Sequence, residues 1–289
     1  MNPAARTLFK IAGALSTAGK EAYRNDYDLR AETYDLVETR PILRNVTEKL
    51  LAQIDLHPGM HCIDLGCGTG HATQIIAKKV LPTGSVIGCD FSGEMLRVAK
   101  KHVELELPFV HFVHKDMLEF LEEYEGNAAD FIGAFWSADY CNHKKLLASL
   151  NRVLKFNGTV AILINTQASL RELQKLIVPI LLKHPSFIKS FPPINFPPDV
   201  DRFSRCVLRT GIVIEKLEEE VRAFNFSSGQ AVVKWIRESG PAAGVIGALR
   251  SHCIDKFFRC IEEVVDRQGG LTITFRFLVL VGRKQAAPS

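Results

Sequence analysis

Nine consecutive residues, Cys62-Ile63-Asp64-Leu65-Gly66-Cys67-Gly68-Thr69-Gly70, carry the densest chemical signal in the chain. An apolar run ends in an acid and then breaks into glycines at three alternate positions. Ile75, Ile76 and Val80 follow as the apolar positions of a helical pattern. The segment predicts strand, tight loop, helix. Glycines let a loop backbone come against a ligand with no side chain in the way. The helix that follows offers N–H groups to the same ligand. This is the chemistry of a nucleotide-like cofactor site. A dinucleotide fingerprint, G-x-G-x-x-G, needs a third glycine; that position is His71, so the match fails.

Further signals follow in order. Ser85 to Asp90 predicts a second strand ending in an acid, and a carboxylate there can accept bonds from both hydroxyls of a ribose. Phe91 to Leu96 opens a helix with Ser92 as a plausible N-cap. Phe109 to Val113 predicts a third strand, followed by His114-Lys115-Asp116-Met117, and Ala129 to Phe135 a fourth. In Asn151 to Gly158, Asn157 tolerates a left-handed conformation better than most residues.

Over Gly59 to Ile164 this series resembles the class I S-adenosylmethionine-dependent methyltransferases of the small-molecule type. The Gly66-x-Gly68-x-Gly70 triplet after Asp64 resembles their first motif. The run from Arg152 to Gly158 resembles their "RVLKPGG" turn, with Phe156 for proline and Asn157 for glycine. The resemblance implies S-adenosyl-L-methionine as cofactor. The Gly66 to Gly70 loop, Cys67 included, would hold its methionine part beside Asp64. Asp90 would hold the ribose, Phe91 and Met95 would line the adenine, and Asp116 with Met117 would close its far side. Phe135 would lie at the same edge. Tyr34 and Tyr27 resemble the tyrosines that close over the cofactor in such enzymes, Tyr34 toward the cofactor and Tyr27 toward the acceptor. Three readings stay open beside these: Asp64 as a loop-bracing acid, Met95 as core, and Tyr27 and Tyr34 as packing residues.

Acceptor chemistry is expected after strand four. A carboxylate acceptor needs no base, whereas a hydroxyl, amine or carbon acid can need one. Many small-molecule family members carry Ala-Leu-His-His or Ala-Leu-His-Trp there. This chain has Trp136-Ser137-Ala138-Asp139-Tyr140-Cys141-Asn142-His143. Asp139 is the candidate base and His143 a second catalytic candidate. Trp136, Tyr140, Tyr27 and Trp235 are candidate acceptor contacts. Equally, Asp139 caps the next helix and His143 is a solvated helix residue. The Asn/Asp-Pro-Pro-Tyr motif used on nucleobase and protein amides is absent, which argues against those substrates.

The positioning elements follow from the pattern. Strands and helices alternate from Met60 to Ile164, which predicts an α/β protein. With the family resemblance, the expectation is a doubly wound, seven-stranded, mostly parallel sheet of the Rossmann-like methyltransferase type, with a helical cap. The expected division is an N-terminal helical lid over 1–45, a cofactor-binding core over 46–165, a helical cap insertion over 166–210, and the last two strands with intervening cap helices over 211–289. Ala168 to Lys183 predicts a helix that Pro179 should kink or end early. The proline-rich run from Phe191 to Pro198 excludes regular structure. Asp199 to Thr210 predicts a helix with an acidic cap. Ile212 to Phe226 reads as a long edge strand, Ser227-Ser228 as the cap of a helix that Gly240-Pro241 breaks, Ser251 to Arg267 as a helix, and Leu271 to Gly282 as a final strand. Aromatic residues such as Phe187, Phe196, Phe203, Phe257 and Phe258 suggest an apolar or aromatic acceptor. A coarse similarity to the trans-aconitate and juvenile-hormone-acid methyltransferases adds carboxylate O-methylation to the options. Arg202, Arg205 and Arg209 are then candidates to bind the acid, or form a solvated face.

Bulk composition narrows the partners. In 289 residues, 36 Lys+Arg against 32 Asp+Glu give a net charge of +4, scattered rather than striped, so no nucleic acid is expected. No apolar run reaches membrane-spanning length. Seven cysteines show neither disulfide-scaffold nor zinc spacing, so reduced thiols, a cytoplasmic location and no metal are expected. Basic residues and no acids mark Met1 to Lys20, which resembles a transit segment but reads better as part of the lid. The expected partner is a small-molecule acceptor, the chain acting as monomer or homodimer on oxygen or carbon. The alternatives are a macromolecule methyltransferase and a non-methylating, cyclase-like or scaffold protein on the same fold.

Overall fold

The computed structural model describes residues 16–37, 39–103, 109–189, 196–238 and 244–285. Its strands β1 (His61–Leu65), β2 (Ser85–Asp90), β3 (Val110–His114), β4 (Ala129–Phe135), β5 (Leu154–Asn165), β6 (Ile212–Phe226) and β7 (Leu271–Lys284) form one sheet in the order β3-β2-β1-β4-β5-β7-β6. Pairing is parallel from β3 through β5, and β7 runs antiparallel to β5. Central strands read as continuous apolar runs because both faces are covered: in β1, Cys62 through Leu65 are all buried. The edge strand β6 is instead mostly half-buried or exposed and carries glutamates, which discourage pairing with another chain.

The helices are α1 (Ser16–Arg30), α2 (Arg40–Gln53), α3 (His71–Val80), α4 (Gly93–His102), α5 (Met117–Glu123), α6 (His143–Val153), α7 (Arg171–Lys183), α8 (Val200–Leu208), α9 (Gly229–Glu238) and α10 (Ile254–Arg267). Side chains cap several of them as expected. Ser92 accepts from the Met95 N–H at 3.1 Å, Asp199 from Arg202 N–H at 2.7 Å, and Ser228 from Ala231 N–H at 3.2 Å. Such caps satisfy donors that the first helical turn leaves unpaired.

The chain divides into two compact units. The larger comprises Arg40–Ser169, Asn195–Val221 and Arg276–Ser289. In it α3 packs on β1 and β2, α4 on β2 and β3, α5 on β2, and α6 on β5. Leu146, Leu147, Leu150 and Val153 form the buried face of α6, in one cluster with Ile132 and Ile162 of the sheet. The smaller unit comprises Met1–Thr39, Leu170–Ile194 and Arg222–Phe275. There α10 packs on α9 and α7. Asp26 accepts the Gly244 N–H at 2.7 Å and lies 3.7 Å from the Arg30 guanidinium.

Some expectations need correction. Pro179 does not end α7, which runs on to Lys183. Proline there removes one hydrogen bond, to the carbonyl of Lys175 on the exposed side, while Leu173, Leu176 and Ile180 stay buried and hold the helix in place. The helix also begins later than the pattern suggested, because Leu170 adopts a left-handed φ of 55° immediately before it. Asn157 does take the left-handed conformation, φ 64°. Phe191, the Gly240-Pro241 pair and most of Met1 to Lys20 lie outside the described residues. Among the described residues no helix is long and apolar enough to cross a membrane.

Candidate cofactor and acceptor site

Strand order reverses at β1, which pairs with β2 on one side and β4 on the other. Open α/β sheets bind ligands at such a switch, outside the carboxyl ends of the strands. The loop after β1 lies there. Gly66 and Cys67 donate their N–H groups to the Cys89 carbonyl at 2.7 and 3.1 Å, and Gly68 donates to Asp90 Oδ2 at 2.8 Å. All three glycines have positive φ. Their surroundings differ. A Cβ at Gly66 would stand 2.2 Å from Ser137 Cβ, and one at Gly70 would stand 2.9 Å from Val103 Cγ2. A Cβ at Gly68 would meet nothing within 4 Å among the described residues. Gly66 is therefore required by packing, whereas Gly68 turns bare backbone toward open space.

Two acids sit behind this loop. Asp64 is buried and accepts the Thr73 hydroxyl at 2.6 Å. Burial raises its carboxyl to about 7, and the Asp90 charge adds to the rise. Its geometry is that of a brace between β1 and α3. Asp90 accepts Ser92 N–H at 2.9 Å and Gly68 N–H at 2.8 Å, with a further backbone bond from Phe91. Burial raises it to about 6, against the pull of those bonds.

Around these acids, Asp116 caps α5 by accepting Leu118 N–H at 2.9 Å, and Met117 brings its Cε within 3.6 Å of a Cβ built at Gly66. Met95 is fully buried, as core would be. Phe91 and Tyr140 stack with ring centroids 6.4 Å apart and planes 25° from parallel. Phe135 is buried at the end of β4.

The segment after β4 is under backbone strain. Trp136 has φ 62°, uncommon for a bulky residue. Its indole N–H donates to Thr47 Oγ1 at 3.1 Å, and its ring meets Phe277 edge-on at 4.8 Å. Ser137 donates to the Leu65 carbonyl at 2.6 Å, tying this segment to the end of β1. Asp139 does not cap α6; Asn142 does, accepting Lys145 N–H at 3.2 Å. Asp139 instead turns inward, where it is buried and accepts both the backbone N–H of Asn165 (3.2 Å) and its side-chain amide (2.9 Å). Burial raises its carboxyl to about 7. The His143 ring sits edge-on to Phe203, with centroids 6.0 Å apart.

Tyr27, Tyr34 and Trp235 belong to the smaller unit. Tyr27 and Tyr34 meet edge-on at 5.9 Å, and the Trp235 indole donates to Thr39 Oγ1 at 3.1 Å. Sequence reading missed Thr73, Ser137 and Asn165. Asn165 left a signal: a polar residue closes the apolar run Ala161-Ile162-Leu163-Ile164 at the strand end, as Asp64 and Asp90 do in theirs.

Residues 56–179 match the family model described as a methyltransferase domain. A demethylmenaquinone methyltransferase of Staphylococcus aureus is 33% identical over 124 residues, which are 43% of this chain and 50% of that protein. The chain thus spans about half the length of this curated relative. Geranyl diphosphate C-methyltransferase from Streptomyces coelicolor, solved with Mg2+, geranyl-S-thiolodiphosphate and S-adenosyl-L-homocysteine, superposes with a TM-score of 0.52 at 14% identity, covering 83% of this chain and 75% of that one. The [4+2]-cyclase SpnF superposes at 0.53 and 15% identity, covering 84% and 82%. At such identities the structures establish the fold. Residues 56–179 thus match a methyltransferase domain, and the chain carries them in the seven-stranded fold of the class I, S-adenosyl-L-methionine-dependent methyltransferases.

Proposed function

We propose that the chain transfers a methyl group from S-adenosyl-L-methionine to a small, apolar or aromatic acceptor, at oxygen or carbon. The observation that carries this reading is the loop Gly66–Gly70: it is locked to β2 through Cys89 and Asp90, with bare backbone at Gly68 facing open space. A side chain at that position would fill the cradle. The cofactor, when bound, supplies the electrophilic methyl and its leaving group.

The chain's own residues hold and orient. An ionised carboxylate offers about four acceptor positions, and Asp90 uses three of them on backbone N–H groups. One is left for a ribose hydroxyl. Phe91 and Tyr140 offer a flat apolar surface next to it. On the acceptor side we assign Trp136, whose strained backbone is held by Thr47 and Phe277; strain of this kind persists where the surroundings over-determine it. Asp139 is our candidate for holding the acceptor's proton. A base raised to near neutrality suits proton transfer at pH 7, and Asn165 fixes its orientation. His143, packed against Phe203, has no part in this assignment. Demethylmenaquinone and geranyl diphosphate, the compounds for which two similar proteins are named, both carry apolar tails, which supports an apolar acceptor.

The test is calorimetric titration with S-adenosyl-L-methionine and S-adenosyl-L-homocysteine, alongside Asp90→Ala. Micromolar binding that the substitution weakens at least tenfold supports the reading and opens a screen of quinols, phenols and hydrophobic acids. Folded protein that gives no saturable heat with either ligand overturns it.

A further inference from the structure

Helix α8 carries Arg202 and Arg205, and Arg209 follows as its C-cap residue, still in the right-handed helical conformation (φ −66°, ψ −14°); spacings of three and four put the three along one face. Lys144, in the first turn of α6, shares a cleft with them of about 680 Å³. His143 and Phe203 supply part of its wall as an edge-on ring pair, and Phe203 is only 3% exposed.

The cations of this cleft are short of counter-charge. Arg202 lies 3.9 Å from Asp199, with both groups well exposed, a pairing worth little in solvent. For Arg205, Arg209 and Lys144 no carboxylate lies within ion-pair distance among the described residues. In the same unit Arg97, Arg276 and Arg283 each have a glutamate at 2.7, 3.4 and 2.6 Å. A convex solvated face would spread such charges outward. Here they border a concave space with an apolar wall, where a cleft lined by one sign of charge focuses the field.

We propose that this cleft binds an oligophosphate group of a small molecule. Guanidinium groups match phosphate oxygens with paired hydrogen bonds, and lysine adds a point charge. Length selects the ligand further. Seven residues separate Arg202 from Arg209, a rise of about 10 Å along a helix. A single phosphate reaches part of that row, and a chain of phosphates reaches all of it. The cleft's lining includes neither the Gly66–Gly70 loop nor Asp90, so the inference stands apart from methyl transfer and would survive its failure.

The test uses inorganic tripolyphosphate and orthophosphate as probes in metal-free buffer at fixed ionic strength, with binding followed by calorimetry. Backbone amide shifts of the unaltered protein report the location. Tripolyphosphate should bind one per chain, at least tenfold tighter than orthophosphate, and shift the amides of Lys144, Arg205 and Arg209. The exposed double substitution Arg205→Gln/Arg209→Gln should weaken it at least tenfold, while Lys78→Gln/Lys100→Gln, at exposed positions on other helices, should leave it unchanged. Absence of saturable binding, equal affinity for the two probes, equal losses in the two variants, or shifts confined to other residues would each overturn the proposal.

Discussion

Gly68 donates its backbone N–H to the Asp90 carboxylate at 2.8 Å, so the loop after β1 and the tip of β2 are held as one piece. The acid that is expected to meet the ribose also sets the shape of the loop expected to meet the methionine part. These two functions cannot be separated by removing the carboxylate. Keeping its shape while changing its donors and acceptors tests both at once.

Asp90→Asn does this. Asparagine presents one oxygen and one NH2 group, so either Gly68 or Ser92 loses its acceptor and faces a donor instead. Leaving a buried N–H without a partner costs about 1–3 kcal/mol. We expect a loss of that size in unfolding free energy by chemical denaturation. Cofactor affinity should fall more than tenfold, because the remaining acceptor position and the loop geometry go together. Unchanged affinity in a folded variant would remove Asp90 from the binding site.

The glycines of the loop should respond differently to the same substitution. Gly66→Ala drives a methyl group to 2.2 Å from Ser137 Cβ, a contact that only backbone movement can relieve, so the main loss should be in stability. Gly68→Ala meets no such contact and pays chiefly for its left-handed conformation, about 1–2 kcal/mol. Its added methyl fills the space left for the ligand, so its main loss should be at least tenfold in cofactor affinity. Melting temperature and calorimetric affinity, read for both variants, check the contrast.

The sheet edge was legible because strand, acid, glycine loop and helix are local patterns whose period and spacing survive in one dimension. Asp64, Asp90 and Phe135 could each be placed at a strand end before any fold was assumed. Asp139 could not be resolved in the same way. Whether an acid four residues before a helix caps it or turns inward depends on Asn165, 26 positions away, and no local pattern records that pairing. Pro179 misled for a related reason: its local cost is real, but burial of Leu173, Leu176 and Ile180 outweighs it. The contact of the His143 ring with Phe203 on α8, 60 positions away, is likewise recorded by no local pattern.

Asn165 should therefore matter to stability in a pH-dependent way. Asn165→Ala removes the side-chain amide that donates to Asp139 at 2.9 Å and keeps the backbone donor. A hydrogen bond to a charged group contributes about 1.5–3 kcal/mol, and one to a neutral group about half that. With the Asp139 carboxyl at about 7, the variant should lose more stability at pH 8, where Asp139 is ionised, than at pH 5.5, where it is protonated. Denaturant unfolding at the two pH values measures the difference, and equal losses would mean that Asp139 keeps one protonation state throughout.

Asp64 offers the cleanest linkage measurement, because its hydroxyl partner Thr73 also suits an amide oxygen. Its carboxyl stands near 3.8 in the unfolded chain and is raised to about 7 in the fold by burial, with the Asp90 charge adding to it. Between those values the folded state holds more protons than the unfolded state, so raising the pH costs stability across that window. The contribution is most favourable below pH 4 and is lost by pH 7. Asp64→Asn removes this titration and keeps the bond from Thr73. Relative to the parent, the variant should therefore gain stability as pH rises, by about 1.4 kcal/mol per pH unit inside the window, and level off above pH 7. Unfolding free energies of both proteins without cofactor, measured from pH 5 to pH 8, should diverge by roughly 2–3 kcal/mol. Parallel profiles would show that Asp64 stays ionised in the fold, and its role would then shift from a protonated brace behind the loop to a fixed negative charge beneath the cofactor.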